Sequence, residues 1–160
     1  MKYIASAFVA LALCISAAWA GDFEDGVAAY EKKDFATALR KFKSAAAKGN
    51  AGAQLRLGIM YDGGEGVVQD DAEAMRWYKL AAAQGLAGAQ LMLGVMYDGG
   101  KGVVQDYSRA HMWFNLAAAT GVTVAGTNRD IIAAKMTTQQ IVEAQKLGKE
   151  CQARNFKNCD

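Results

Sequence analysis

The sequence predicts an all-α protein made of about four antiparallel helix pairs stacked side by side. Residues 53–85 align without a gap on residues 89–121, at an offset of 36 residues. Within each copy, apolar residues recur at the i, i+3, i+4, i+7 spacing of an amphipathic helix. The chain contains 17 glycines and no proline, so glycine marks the turns. An internal period of this length is typical of stacked-repeat proteins, in which each unit covers its neighbour.

The first helix of a unit is predicted at about 51–62 and the second at about 70–84. Helix ends carry N-terminal aspartates and C-terminal glycines, namely Asp70, Asp106, Gly85 and Gly121. Between the two helices, Val67 and Val68 are predicted to fill the gap between neighbouring units. The full repeats span about 51–86 and 87–122, a shortened one about 22–50, and capping helices about 123–156. Thr137 and Gln140 predict a capping box for a last helix at about 138–153.

Composition places limits on function. The 160 residues are 52% hydrophobic and 21% charged, which fits one globular domain and argues against disorder. Eighteen basic and 16 acidic residues give a net charge of +2, too small to predict binding to nucleic acid or to an anionic membrane. One histidine and three cysteines offer little material for a metal site, so no metal and no cofactor are predicted.

The first 20 residues have the pattern of a secretory signal peptide. Lys2 is followed by an uncharged stretch to Ala20, and Ala18-Trp19-Ala20 fits the small-x-small rule for cleavage after Ala20. A membrane-spanning helix fits less well, because no stop-transfer charge cluster follows, and Leu13 argues against a lipoprotein site at Cys14. The sequence therefore predicts a periplasmic or secreted protein without a membrane span after cleavage.

The repeat resembles the Sel-one-like repeat, a relative of the tetratricopeptide repeat. The spacing A-x3-L-G-x2-Y-x2-G-x-G-V-x2-D-x3-A-x2-W-x3-A-A-x2-G is matched from Ala53 to Gly85 and again 36 residues later. The resemblance implies a right-handed superhelix of antiparallel helix pairs. It also implies a scaffold or adaptor that binds other proteins.

By analogy with tetratricopeptide repeats, the first helices line a concave face that binds a protein or peptide partner. The predicted contact residues form an apolar stripe with an acidic rim, and they are Leu55, Ile59, Asp62, Leu91, Val95 and Asp98, extended by Ile131. Such a stripe suits an extended or helical peptide. The alternative is that these side chains pack on the adjacent helix.

No catalytic residue is predicted. The glycine-rich loop at 63–66 is interpreted as a turn, because no Gly-Lys-Ser/Thr follows it, and its acidic residues lack the order of an EF-hand. His111 aligns with apolar residues in the other copies and is interpreted as packed. Trp77 and Trp113 are predicted to be core residues. Cys151 and Cys159 could form a disulfide in an exported protein, or could remain thiols.

Together these observations predict a non-catalytic interaction scaffold of the cell envelope. Two alternatives remain open. One is an envelope enzyme similar to penicillin-binding cysteine-rich relatives, although those carry cysteines within each repeat and this chain has none between Gly21 and Glu150. The other is a structural subunit of a larger assembly.

Overall fold

The computed structural model describes residues 21–159, over which every regular element is an α-helix. The predicted signal peptide, with Cys14 and the cleavage point after Ala20, lies outside the described residues. The helices are α1 (21–31), α2 (Phe35–Ala47), α3 (Ala51–Gly63), α4 (Asp71–Ala82), α5 (Ala87–Gly99), α6 (Tyr107–Ala119), α7 (Thr123–Ala133) and α8 (Thr138–Ala153).

The described helices stack in the order in which they follow one another along the chain. Consecutive helices pack on one another from α2 to α7, and α8 packs on α6. Helix α1 packs on α2 through Phe23 and Phe42, whose ring centroids lie 6.0 Å apart. The all-α, solenoid prediction is therefore confirmed.

Short polar caps set the helix boundaries. The side chain of Asp70 accepts a hydrogen bond from Glu73 N at 2.9 Å, and Asp106 accepts one from Arg109 N at the same distance. Thr137 and Gln140 form the predicted capping box at the start of α8. Each cap satisfies backbone N–H groups that lack partners within the first turn.

Helix α4 is shorter than predicted. It ends at Ala82, because Gln84 N bonds to Ala81 O in a tightened last turn. Gly85 follows with φ of +80°. This left-handed backbone ends the helix, and glycine adopts it without a steric penalty.

Helix pairs approach each other closely at one glycine per repeat. A Cβ at Gly58 would lie 2.4 Å from the ring of Tyr78, and a Cβ at Gly94 would lie 2.5 Å from the ring of Phe114. Both rings are buried. The glycines thus let the second helix of each pair place an aromatic ring directly against the backbone of the first.

One tryptophan departs from the prediction. Trp113 is buried at 2% exposure. Trp77 is only partly buried, and the Arg76 guanidinium lies 4.2 Å from the centre of its ring. Trp113 belongs to the same buried cluster as Cys159, and Phe156 packs against that cluster, whereas Trp77 packs at the edge of the N-terminal cluster. The assignment of Trp77 to the core is therefore wrong in part.

The loop valines also differ from the prediction. Val67 and Val103 pack against the core, whereas Val68 and Val104 are 88% and 86% exposed. The prediction that both valines of a pair fill the gap is therefore wrong for the second valine. The loop itself is anchored by glycine: a Cβ at Gly102 (φ +64°) would lie 2.6 Å from Asp71 O. This contact presses each loop against the start of the preceding repeat's second helix, and Val68 and Val104 project away from it.

Candidate partner-binding face

One column of apolar residues follows the first helices. Ile59, Val95 and Ile131 lie on α3, α5 and α7 at intervals of 36 residues. Their exposure increases along the stack: Ile59 is partly buried, Val95 is 38% exposed and Ile131 is 55% exposed. We refer to these three residues as the first-helix column.

The two leucines of the predicted stripe are used partly for packing between repeats. Leu55 and Leu91 are partly buried and contact the core. A Cβ at Gly88 of α5 would lie 3.2 Å from Leu55 Cδ2, so Leu55 packs on the next first helix. The alternative of packing on the adjacent helix therefore applies to part of the stripe, which leaves a smaller apolar surface around Val95 and Ile131.

The acidic residues at the ends of these helices behave differently from each other. Asp62 pairs with Lys101 of the next repeat's loop, at 3.4 Å between Oδ1 and Nζ. Asp98 is partly buried, and its backbone carbonyl accepts a hydrogen bond from Gln105 Nε2. Asp62 thus joins neighbouring repeats, whereas the Asp98 carboxylate forms no ion pair with any residue from 21 to 159.

His111 is packed, as predicted, with 5% of its surface exposed. Burial lowers the pKa of its imidazole, and the nearby positive charge of Arg129 lowers it further. Its Nδ1 makes no hydrogen bond to the described residues. The neutral ring therefore serves as a packing group between α6 and α7.

Cys151 and Cys159 are joined by a disulfide that closes the chain after α8 into a small ring. No group of three or more histidine, cysteine, aspartate or glutamate side chains that could hold a metal ion occurs within residues 21–159. Of the helices the structure describes, none combines the length and apolar character needed to cross a bilayer.

The Sel1 repeat family model matches residues 51–86 and 87–122. These segments are the pairs α3–α4 and α5–α6 with their loops. This is a Sel1-repeat protein. Sel1-repeat proteins are generally scaffolds for protein–protein interaction, and typically not enzymes.

Two solved structures are similar to this Sel1-repeat protein. One is c5321, a protective antigen present in uropathogenic Escherichia coli strains and displaying an SLR fold, with 32% identity over 88% of this chain and a TM-score of 0.81. Another is a Sel1 repeat protein from Oxalobacter formigenes, with 30% identity over 71% of this chain and a TM-score of 0.68. The chain spans 31% and 46% of their respective lengths. No curated protein matches it.

Sequence reasoning missed the conformation of the disulfide ring. Asn155, Phe156 and Asn158 adopt φ of +50°, +62° and +52°. Asparagine tolerates the left-handed region, so two of these residues offered a weak signal. Phe156 offered none, because a bulky side chain rarely adopts this backbone.

Proposed function

We propose that this protein is an exported, non-catalytic scaffold of the cell envelope that binds a protein or peptide partner on the face of its first helices. The family supports protein binding in general, and the N-terminal pattern supports export. The face is supported by one observation: an apolar side chain recurs at the same register on three successive first helices and becomes more exposed along the stack.

The partner contact centres on Val95 and Ile131, with Asp98 at its edge. Apolar side chains at this spacing suit an amphipathic or extended segment that presents its own apolar residues at intervals. Ile59, Leu55 and Leu91 contribute less, because neighbouring repeats cover part of their surface. Asp62 is engaged by Lys101 and acts between repeats.

Site-specific photocrosslinking in intact cells tests this proposal. A photoreactive residue at Asp98 should give a discrete crosslinked product. The same residue at Val142 of α8, which is 53% exposed and lies outside the first-helix column, should not give it. Val95→Ser combined with Ile131→Ser should abolish the product while far-UV circular dichroism stays unchanged, because both side chains are exposed.

Two outcomes would contradict the proposal. The Asp98 product could persist in the Val95→Ser/Ile131→Ser variant, or the Val142 position could give the same product. Fractionation of the same cells tests export: the chain should lack residues 1–20 and lie outside the cytoplasm, and an unprocessed cytoplasmic chain would refute that part.

A further inference from the structure

The two glycine-rich loops pack on the preceding unit of the stack in the same way. The first loop, residues 63–69, reads Gly-Gly-Glu-Gly-Val-Val-Gln, and the second loop, residues 99–105, reads Gly-Gly-Lys-Gly-Val-Val-Gln. A Cβ at Gly66 would lie 2.5 Å from the Cβ of Phe35, and a Cβ at Gly102 would lie 2.6 Å from Asp71 O. Each loop thus places a glycine against the start of the preceding second helix.

The one residue that differs between the two loops contacts the C-terminal end of the preceding first helix. Glu65 of the first loop accepts a hydrogen bond from the Tyr30 hydroxyl, near the end of α1. Lys101 of the second loop pairs with Asp62, near the end of α3. The side chain at this loop position therefore matches the group that it meets, because a carboxylate faces a hydroxyl donor and an ammonium faces a carboxylate.

A third place of the same kind lies on the second full repeat. Asp98, near the end of α5, is the counterpart of Asp62, and Tyr107, at the start of α6, is the counterpart of Asp71. A cavity of about 350 Å³ adjoins both, since the residues just before Asp98 and Tyr107 line it. We call Asp98, Tyr107 and this cavity the open socket.

No third glycine loop fills the open socket. Residues 134–137 alone join α7 to α8, whereas residues 64–70 join α3 to α4. This shorter turn, Ala-Lys-Met-Thr, contains no glycine, and its Lys135 Nζ lies 5.6 Å from the centre of the Tyr107 ring. The Asp98 carboxylate forms no ion pair within residues 21–159. The turn therefore covers part of Tyr107 without supplying a counterpart of Lys101.

The cavity wall contains one internal ion pair and an apolar part. Asp106 and Arg109 both line the cavity and pair with each other, at 2.6 Å between Oδ2 and Nη1. Val103 and Val104 form the apolar part of the wall. The open socket thus combines an apolar recess with the Asp98 carboxylate beside it, which has no cation among the described residues.

We propose that the open socket binds a lysine-glycine-valine segment of a partner protein, as the first full repeat binds the second loop of this chain. The lysine pairs with Asp98, the glycine lies against the start of α6, and the valine packs in the cavity. The occupant comes from a partner rather than from a second copy, because both glycine loops of this chain are packed on its own helices. The inference deepens the proposed function and rests on it for the existence of a protein partner.

The chain supplies two peptide probes that differ at one position. Acetylated and amidated peptides of residues 99–105 and 63–69 share every residue except Lys101 and Glu65. Each is titrated into the isotopically labelled, disulfide-bonded protein, and the methyl resonances of Val103 and Val104 report binding. We expect a saturable shift with the lysine peptide and about tenfold weaker binding of the glutamate peptide, because the glutamate replaces an ion pair with repulsion between like charges.

Asp98→Lys tests the charge match directly. The variant should reverse the preference, so that the glutamate peptide binds about tenfold more tightly than the lysine peptide. A misfolded chain cannot produce this gain. Glu143→Lys is the matched control, because Glu143 is exposed on α8, lies outside the cavity lining and changes the net charge by the same amount. It should leave the preference for the lysine peptide unchanged.

Four results would overturn the proposal. They are equal affinity for the two peptides, unmoved resonances of the cavity valines, a lysine preference that survives Asp98→Lys, and a reversal caused by Glu143→Lys.

The open socket and the first-helix column can fail separately. Val95→Ser with Ile131→Ser should not alter peptide binding, because neither residue lines the cavity. If that variant loses the Asp98 crosslink while the unsubstituted protein shows no peptide preference, the first-helix proposal stands and the open socket is rejected. A lysine preference without any crosslinked product would support the open socket and reject the first-helix proposal.

Discussion

Gln84 donates a hydrogen bond from Nε2 to Gln54 Oε1 at 2.8 Å. The equivalent residues of the next repeat do not form this bond. The equivalent residues are Thr120 and Gln90. The Thr120 hydroxyl donates instead to Ala117 O at 2.7 Å. Gln90 is fully buried, and neither of its amide atoms bonds to the described residues. The same fold position is therefore satisfied in one repeat and unsatisfied in the next.

This difference predicts opposite effects of one substitution at the two positions. Gln90→Met should raise the free energy of unfolding by about 1–2 kcal/mol, because it removes a buried amide without partners. Gln54→Met should lower the free energy of unfolding by about 1 kcal/mol, because the substitution removes the hydrogen bond that Gln54 accepts from Gln84. Urea denaturation of both variants measures the change. Shifts in the same direction would show that the Gln90 amide has a partner, such as a buried water.

The contact between Gly94 and Phe114 predicts that a single methyl group destabilises the α5–α6 pair. Gly94→Ala should lower the free energy of unfolding by about 1–3 kcal/mol, since the new Cβ would lie 2.5 Å from the ring. Gly126→Ala on α7 is the matched control, because its nearest neighbour would be Ala118 Cβ at 3.9 Å. There, alanine's higher helix propensity should stabilise by about 0.5–1 kcal/mol. Thermal unfolding separates the two, and a stabilised Gly94→Ala variant would contradict the close packing.

The ion pairs of Asp22 with Lys41 and Lys48 predict that the packing of α1 on α2 depends on pH. Hydrogen bonds from Lys48, Ser44 and Lys41 lower the pKa of the Asp22 carboxyl well below its usual value of 3.8. The stabilisation is therefore fully present above pH 3.8 and is lost as the pH falls below that value. Asp22→Asn should lower the melting temperature at neutral pH, and the difference from the unsubstituted protein should shrink in acid.

Glu24→Gln provides the comparison for Asp22, because Glu24 is exposed on the same helix. It should change the melting temperature little at any pH. An Asp22→Asn difference that stays constant from neutral to strongly acidic pH would mean that the carboxylate charge does not hold α1 to α2.

Features set by local chemistry could be predicted from the sequence. Asp70 caps a helix because its side chain bonds a backbone N–H three residues ahead, and Thr137 caps α8 for the same reason. The repeat period then fixes how the pairs stack. These two signals are enough to predict the helices and the two full repeats, α3–α4 and α5–α6.

Features set by distant segments could not be predicted. Ile59 and Ile131 occupy the same register, yet a following repeat covers Ile59 and leaves Ile131 exposed. Phe156 in the disulfide ring has a left-handed backbone, which no local pattern indicates. Burial of this kind is decided by which segment packs on a residue, and the repeat alignment alone treats equivalent positions as equal.

Trp77 and Trp113 occupy equivalent positions in two repeats but differ in burial, so the same substitution at each should change the free energy of unfolding by different amounts. Trp113→Ala should lower the free energy of unfolding by about 3–5 kcal/mol, because the ring is buried among α4, α6 and the disulfide ring. Trp77→Ala should give a smaller loss, since its ring is partly exposed and lies under the Arg76 guanidinium. Circular dichroism during heating measures both. If reduction of the disulfide makes the losses in unfolding free energy of the two variants more similar, the disulfide ring supplies the additional burial of Trp113. Equal losses for the two variants in the disulfide-bonded protein would refute the difference in packing.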